Sequence, residues 1–180
     1  GIVWLEQPSG EDTRADCDDG IYRAFSELLL FLGDEEALAT VQRAAEINSA
    51  DARNHYMLAR LHLSDRYYDP HKAEDEIIAA VALWREDDPR LSRIAALTYL
   101  PTNKPADALS HADATIRLSE PPEGAVQTSL QKLGCDVHAT YGHVLKAMAL
   151  AALKRPQEAG PELEEAQKRR PDFPEDGVFV

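Results

Sequence analysis

Hydrophobic positions along the chain recur with the spacing of amphipathic helices. Ile21, Phe25, Leu28 and Leu32 share one face of a predicted first helix, which Gly33 ends. Prolines, acidic caps and the same spacing predict eight helices in all, over about 19–33, 34–49, 51–63, 70–84, 89–100, 105–120, 136–153 and 156–170. No segment alternates with period two, so we predict an all-α fold.

Small residues return at matching places in successive pairs of these helices. One series is Ala37, Ala73, Ala108 and Ala159, and a second series, seven residues later, is Ala44, Ala80, Thr115 and Ala166. The steps are 36, 35 and 51 residues in both series, so the last step is about one unit plus an insertion. Periods of this size are typical of arrays of helical hairpins, in which each unit buries its apolar face against its neighbours.

The units resemble tetratricopeptide (TPR) repeats, which carry a small residue and an aromatic residue in the first helix, then A-x3-F and a terminal proline. The third unit has Ala96 and Tyr99, then Ala108 with Ala112, and closes at Pro121. The resemblance implies an α-solenoid of stacked antiparallel helical hairpins that forms a right-handed superhelix over residues 19–173. Its units fall at 19–49, 51–87, 89–122 and 136–173, with an N-terminal lead-in at 1–18, an insertion or lengthened first helix at 123–136, and a tail at 174–180.

The charge of the chain narrows the class of partner. Net charge is −13, from 32 acidic and 19 basic residues, which disfavours nucleic acid as a partner. The longest apolar run, 28–32, is too short to span a bilayer, so we expect no membrane insertion. We expect Cys17 and Cys135 to be reduced thiols, with one long-range disulfide as the alternative if the protein is exported. A cytoplasmic location is favoured, and the compartment stays open. The start at Gly1 and the apolar end favour a piece of a larger protein, and the oligomeric state stays open.

Candidate chemistry is sparse. The chain contains no G-x-S-x-G, phosphate-loop, dinucleotide or H-E-x-x-H motif, so we predict that it is not an enzyme and needs no cofactor. Cys135, Asp136, His138 and His143 form the one cluster of metal-ligand types. The two histidines are five residues apart, which fits one helical face poorly, so we predict a helix start capped by Asp136 and no metal site. The alternative is a metal-dependent protein that uses this cluster.

The resemblance also implies a concave groove lined by the first helix of each hairpin, which holds an extended peptide or a partner helix. The matching positions here are Tyr22, Arg53, Tyr56, Arg60, Arg90, Arg93, Tyr141 and Met148. Four arginines in one stripe of an acidic chain favour recognition of an acidic segment or of a C-terminal carboxylate. The alternative is that they only solvate a helix face and pair with Asp51, Glu86 or Asp87.

Together these patterns predict a non-enzymatic protein–protein interaction module that binds a partner peptide or helix in its groove. A second interpretation is a small acidic TPR-type chaperone or assembly factor that holds an apolar client, as in bacterial secretion systems. Salt separates the two, because binding through arginines weakens as salt rises and binding through apolar contacts persists.

Overall fold

The structure, a computed structural model, describes residues 24–25, 28–29, 36–84, 87–121 and 128–169. Within these ranges it contains helices and no strand, which confirms the all-α prediction. Residues 24–25 and 28–29 are helical. Seven further helices follow: α1 (Ala37–Ile47), α2 (Ala52–His62), α3 (Pro70–Leu83), α4 (Pro89–Tyr99), α5 (Pro105–Ser119), α6 (Ser129–Ala152) and α7 (Pro156–Arg169). The lead-in 1–18, Tyr22, Gly33 and the tail 174–180 lie outside the described residues.

Side-chain caps and prolines set the helix starts. The carboxylates of Asp51, Asp69 and Asp88 each accept a hydrogen bond from a backbone N–H in the first turn of α2, α3 and α4. Such caps satisfy N–H groups that have no partner inside the helix. Pro70 and Pro89 occupy the first helical position, where a missing N–H costs nothing. These local signals explain why the predicted starts are close to the observed ones.

The helices pair as antiparallel hairpins, α2 with α3, α4 with α5, and α6 with α7. Every member of the two small-residue series is buried, with relative exposures between 0% and 8%: Ala37, Ala44, Ala73, Ala80, Ala108, Thr115, Ala159 and Ala166. Small side chains at these points let neighbouring helices approach closely, and larger ones such as Ile77 and Leu145 fill the spaces between them. The repeat of small residues in the sequence therefore matches the repeat of close helix contacts in the structure.

Helix α6 is 24 residues long, about twice the length of α2 or α4. It begins at Ser129, so the predicted helix start and cap at Asp136 are wrong. The inserted segment is helical from Ser129 onward, as the alternative of a lengthened first helix predicts. Helix α6 packs extensively on α5, whereas α3 and α4 share much less surface. Gly142 permits the close approach, because a Cβ there would lie 2.7 Å from Ile116 Cγ1 and 3.4 Å from the carbonyl oxygen of Ala112. None of the described helices combines the length and apolar character needed to cross a bilayer.

A histidine–glutamate pair recurs inside two hairpins. His55 Nδ1 of α2 lies 2.7 Å from the Glu76 carboxylate of α3, and His143 Nδ1 of α6 lies 2.7 Å from the Glu162 carboxylate of α7. Both histidines stand four residues before a buried alanine of the first helix, Ala59 or Ala147. The two pairs thus occupy equivalent places in the repeat and tie its two helices together.

We expect His55→Gln to lower the free energy of unfolding by about 1 kcal/mol in mild acid and by less as the pH rises. Burial lowers the pKa of His55, but hydrogen bonds to Glu76 and to the Ser49 carbonyl outweigh burial and raise the pKa above 6.5. Because the pKa of His55 is higher in the folded state than in the unfolded state, protonation of His55 stabilises the folded protein. This stability is fully present at pH values below the unfolded-state pKa and is lost as the pH rises through the folded-state pKa.

The measurement is the free energy of unfolding of both proteins at about pH 5.5 and about pH 8.5, either side of the titration range of histidine. His71→Gln is the matched control, because His71 is exposed on α3. An equal difference at both pH values would contradict an ionised pair.

Candidate functional site

The first helices of the three hairpins are α2, α4 and α6. They lie side by side in this order, and α4 contacts both α2 and α6. Each has a buried alanine at the same place in the repeat, Ala59, Ala96 or Ala147. Positions six and three residues before this alanine and one after it share one helical face. These nine positions, named here the first-helix face, are Arg53, Tyr56 and Arg60; Arg90, Arg93 and Leu97; and Tyr141, Val144 and Met148.

All nine side chains of the first-helix face are at least partly exposed. Seven of the eight residues that the sequence nominates as partner-binding lie on it, and the eighth, Tyr22, lies outside the described residues. The sequence reasoning missed Leu97 and Val144. Their signal was available, since both stand at the same distances from the repeat alanine as the nominated residues.

Two of the arginines are bound to the caps of their own helices. Arg53 Nη2 lies 2.8 Å from Asp51 Oδ2, and Arg90 Nη2 lies 2.6 Å from Asp88 Oδ2. Burial opposes ionisation of Asp88, but the hydrogen bonds from the Arg90 side chain and N–H outweigh it and hold the pKa of Asp88 below its usual value. The pairing of Arg53 with Asp51 is one that the alternative interpretation names. Both arginines are held in place, with their charge partly neutralised.

The other two arginines stack on tyrosines. The Arg60 guanidinium lies 5.7 Å from the centre of the Tyr56 ring, and that of Arg93 lies 4.9 Å from the centre of the Tyr141 ring. Both distances are within the range of cation–π attraction. Tyr56 also packs edge-on against Trp84, with ring centres 5.8 Å apart. These contacts fix aromatic and cationic groups side by side across the first-helix face.

Arg93 differs from Arg53 and Arg90 in its charge balance. Among the residues that the structure describes, Arg93 forms no ion pair with an acidic side chain. Its contact with Tyr141 leaves its charge uncompensated, and stacking on a ring does not use the edge of the guanidinium that binds carboxylates. Arg93 is therefore better placed than Arg53 or Arg90 to bind a carboxylate from outside the chain.

His138 of α6 lies beside this arginine. Burial and the nearby charges of Arg93 and Arg90 lower the pKa of His138, while Asp88 acts in the opposite direction. Its Nδ1 is buried and has no hydrogen-bond partner in the described part of the chain. The lowered pKa favours a neutral ring at neutral pH, so His138 adds a polar group and no charge to this region.

The candidate metal residues do not come together. His143 binds Glu162 of α7, whereas His138 lies near Arg93 and Asp88 of α4. The described residues contain no group of three His, Cys, Asp or Glu side chains that is arranged to hold a metal ion. The side chain of Cys135 is partly exposed. The four residues that the sequence groups as metal-ligand types therefore do not form a metal site in the described part of the chain.

The stacked hairpins and their buried small residues define a TPR-like helical repeat protein, an α-solenoid, as the sequence predicts. Two solved structures of MamA are similar to this chain, each with a TM-score of 0.63 and 14% sequence identity. The match covers 87% of this chain, and 75% of one MamA chain and 81% of the other. A third, YrrB, described as a TPR protein with an unusual peptide-binding site, has a TM-score of 0.50 and 17% identity over 84% of this chain and 86% of its own. No model of a known protein family matches the chain, and no curated protein matches its sequence.

Proposed function

We propose that this chain is a non-enzymatic interaction module that holds a segment of a partner protein in a groove formed by the first-helix face. One observation carries the proposal. The nine positions include four arginines and two tyrosines and no acidic residue, although the chain has 32 acidic and only 19 basic residues. Arginine and tyrosine are enriched where proteins bind one another. The description of YrrB as a protein with a peptide-binding site supports the same class of function.

The chemistry of the face favours an acidic segment or a C-terminal carboxylate as the ligand. Arginine presents a planar set of donors that fits a carboxylate, and Tyr56 and Tyr141 add contact area with little loss of side-chain freedom. The remaining surface of this acidic chain repels an acidic segment at long range. Binding is therefore directed to the face where the positive charge is concentrated.

The test is selection of random twelve-residue peptides, displayed on phage, on the immobilised wild-type protein. We expect enrichment of peptides with acidic residues, and labelled copies should lose affinity as salt rises. The double variant Arg60→Gln, Arg93→Gln should bind them at least about tenfold more weakly, as expected for loss of hydrogen-bonded charges. Arg117→Gln is the matched control, because Arg117 is an exposed arginine of α5.

If no peptide is enriched, or if the selected peptides bind the double variant as well as they bind the wild type, the proposed function is wrong. The unfolding curve of each variant serves as the check that a loss of binding does not reflect a loss of the fold.

A second candidate function is a chaperone or assembly factor that holds an apolar client. The exposure of Leu97 (39%) and Met148 (48%) on the first-helix face favours it. Under this alternative the selected peptides are apolar and bind equally well at high salt. They also bind the double variant without Arg60 and Arg93 as tightly as they bind the wild type. Replacement of Leu97 and Met148 by serine then abolishes binding.

A further inference from the structure

Positive charge and apolar surface are separated across the first-helix face. The four arginines belong to α2 and to the first half of α4. The apolar side chains lie at the end of α4 and on α6, where Leu97 and Met148 are exposed and Val144 is partly buried. A ligand that covers the face therefore meets cations on one side and apolar groups on the other.

Arg93 and Tyr141 mark the line between the two halves. Leu97 stands four residues beyond Arg93 on α4, about 6 Å along the helix, and Met148 stands seven residues beyond Tyr141 on α6, about 10 Å along it. An extended peptide advances about 3.3 Å per residue. The separation between the cation and the apolar groups thus corresponds to two or three residues of such a peptide.

We propose that the ligand carries an acidic side chain and a large apolar side chain two or three residues apart, the first on Arg93 and the second on Leu97 and Met148. This inference rests on the proposed function and adds the identity and spacing of the groups that are recognised. The acidic group is assigned to Arg93 because Asp88 already binds Arg90, while Arg93 forms no ion pair among the described residues. The apolar group is assigned to Leu97 and Met148 because binding removes their exposed surface from water.

The two methionines of the chain provide the measurement. Met148 is 48% exposed on the first-helix face, whereas Met57 is 1% exposed in the core. Protein labelled with ¹³C at the methionine methyl groups gives one signal from the face and one internal reference from the core. Movement of the Met148 signal during a titration reports binding at the face, and an unchanged Met57 signal shows that the core is intact.

The probes are synthetic serine-based peptides with blocked ends that contain one glutamate and one leucine, two, three or six residues apart. Matched peptides carry lysine for glutamate or serine for leucine. We expect the Met148 signal to move with the spacings of two and three, at affinities at least about fivefold above those of the longer spacing and of both matched peptides, since one charge-assisted hydrogen bond is worth this much. In Arg93→Gln the preference for glutamate over lysine should disappear, and in Leu97→Ser the preference for leucine over serine should weaken.

Equal affinity at all spacings, equal affinity for glutamate and lysine, or no movement of the Met148 signal with any of these peptides would overturn the inference. A phage-selected peptide that moves Met148 but lacks an acidic–apolar pair also overturns it, and leaves the proposed function standing. Selection that yields no binding peptide removes the proposed function itself. The two failures are therefore distinguishable.

Discussion

Replacing Gly142 by valine is expected to lower the free energy of unfolding by about 3 kcal/mol, the upper range for overpacking a closely packed contact. Even the first added carbon would lie 2.7 Å from Ile116 Cγ1 and 3.2 Å from the Ile116 backbone nitrogen. Ile116 Cγ1 is close to the backbone and not the far end of a flexible side chain, and the backbone of α5 cannot move away without disturbing its own packing. Valine adds two further methyl groups to this contact.

Equilibrium unfolding in denaturant measures the effect, and Gly134 of the same helix provides the control. Gly134 has nothing within 4 Å of the place where a Cβ would lie. Alanine at this position is expected to raise stability by about 0.5–1 kcal/mol, because glycine weakens a helix interior. Wild-type stability in Gly142→Val would show that α5 and α6 do not meet closely at this residue.

The second large effect is expected for Glu162→Ala, a loss of about 2–3 kcal/mol. Glu162 of α7 accepts a hydrogen bond from His143 Nδ1 at 2.7 Å and one from Lys146 Nζ at 2.9 Å, and Lys146 also binds Asp113 of α5. The His143 ring is nearly buried, and its Nε2 already has no partner in the described part of the chain. Removing Glu162 leaves both ring nitrogens of His143 without a partner, a cost that surface residues do not incur.

Glu158→Ala, in the same helix, is the matched control. Glu158 pairs with Arg155 at 2.6 Å in an exposed position, where solvent screens the attraction between the charges. Unfolding in denaturant should therefore separate the two variants clearly. Similar losses for both would show that the buried contacts of Glu162 add nothing beyond those of a surface ion pair.

The effect of Glu162 should also depend on pH. Burial raises the pKa of Glu162, but the hydrogen bonds from Lys146 and His143 outweigh burial and leave the pKa below its ordinary value of 4.5. A lowered folded-state pKa gives stability that is present above the unfolded-state pKa and is lost as the pH falls through the folded-state value. The gap between the wild type and Glu162→Ala should therefore narrow as the pH falls below about 4.5.

The sequence predicts local features of this fold better than contacts between hairpins. Caps such as Asp51 and Asp88 and the first-turn prolines act within a few residues, so they are readable from the chain itself. Asp136 is a residue type that favours caps and so predicts a start of α6 there, whereas Leu130 and Lys132 are good helix formers and allow the lengthened first helix that the sequence offers as the alternative. Local propensity allows both starts, and the helix begins at Ser129.

For the first-helix face, too, the sequence predicts the local features better than the contacts between hairpins. The repeat alanines locate its positions from the sequence, because a fixed offset from a buried residue fixes the side of the helix. The partners of its arginines are a different matter. Arg53 and Arg90 bind an aspartate two residues away, within reach of a sequence argument, whereas Arg93 meets Tyr141, 48 residues further along the chain. That contact depends on how successive hairpins are inclined, which no spacing in the sequence specifies.

The unequal contacts between hairpins have a mechanical consequence. Helices α5 and α6 share a wide surface, joined further by the Lys146–Asp113 bridge, while α3 and α4 share a narrow one. Under a bending load such an array is least stiff at its narrow contacts, so strain should collect between α3 and α4 and between α1 and α2, which share as little surface. The hairpin of α2 and α3 is then expected to move relative to the block from α4 to α7. Within that block we expect the distance from Arg93 to Met148 to change little.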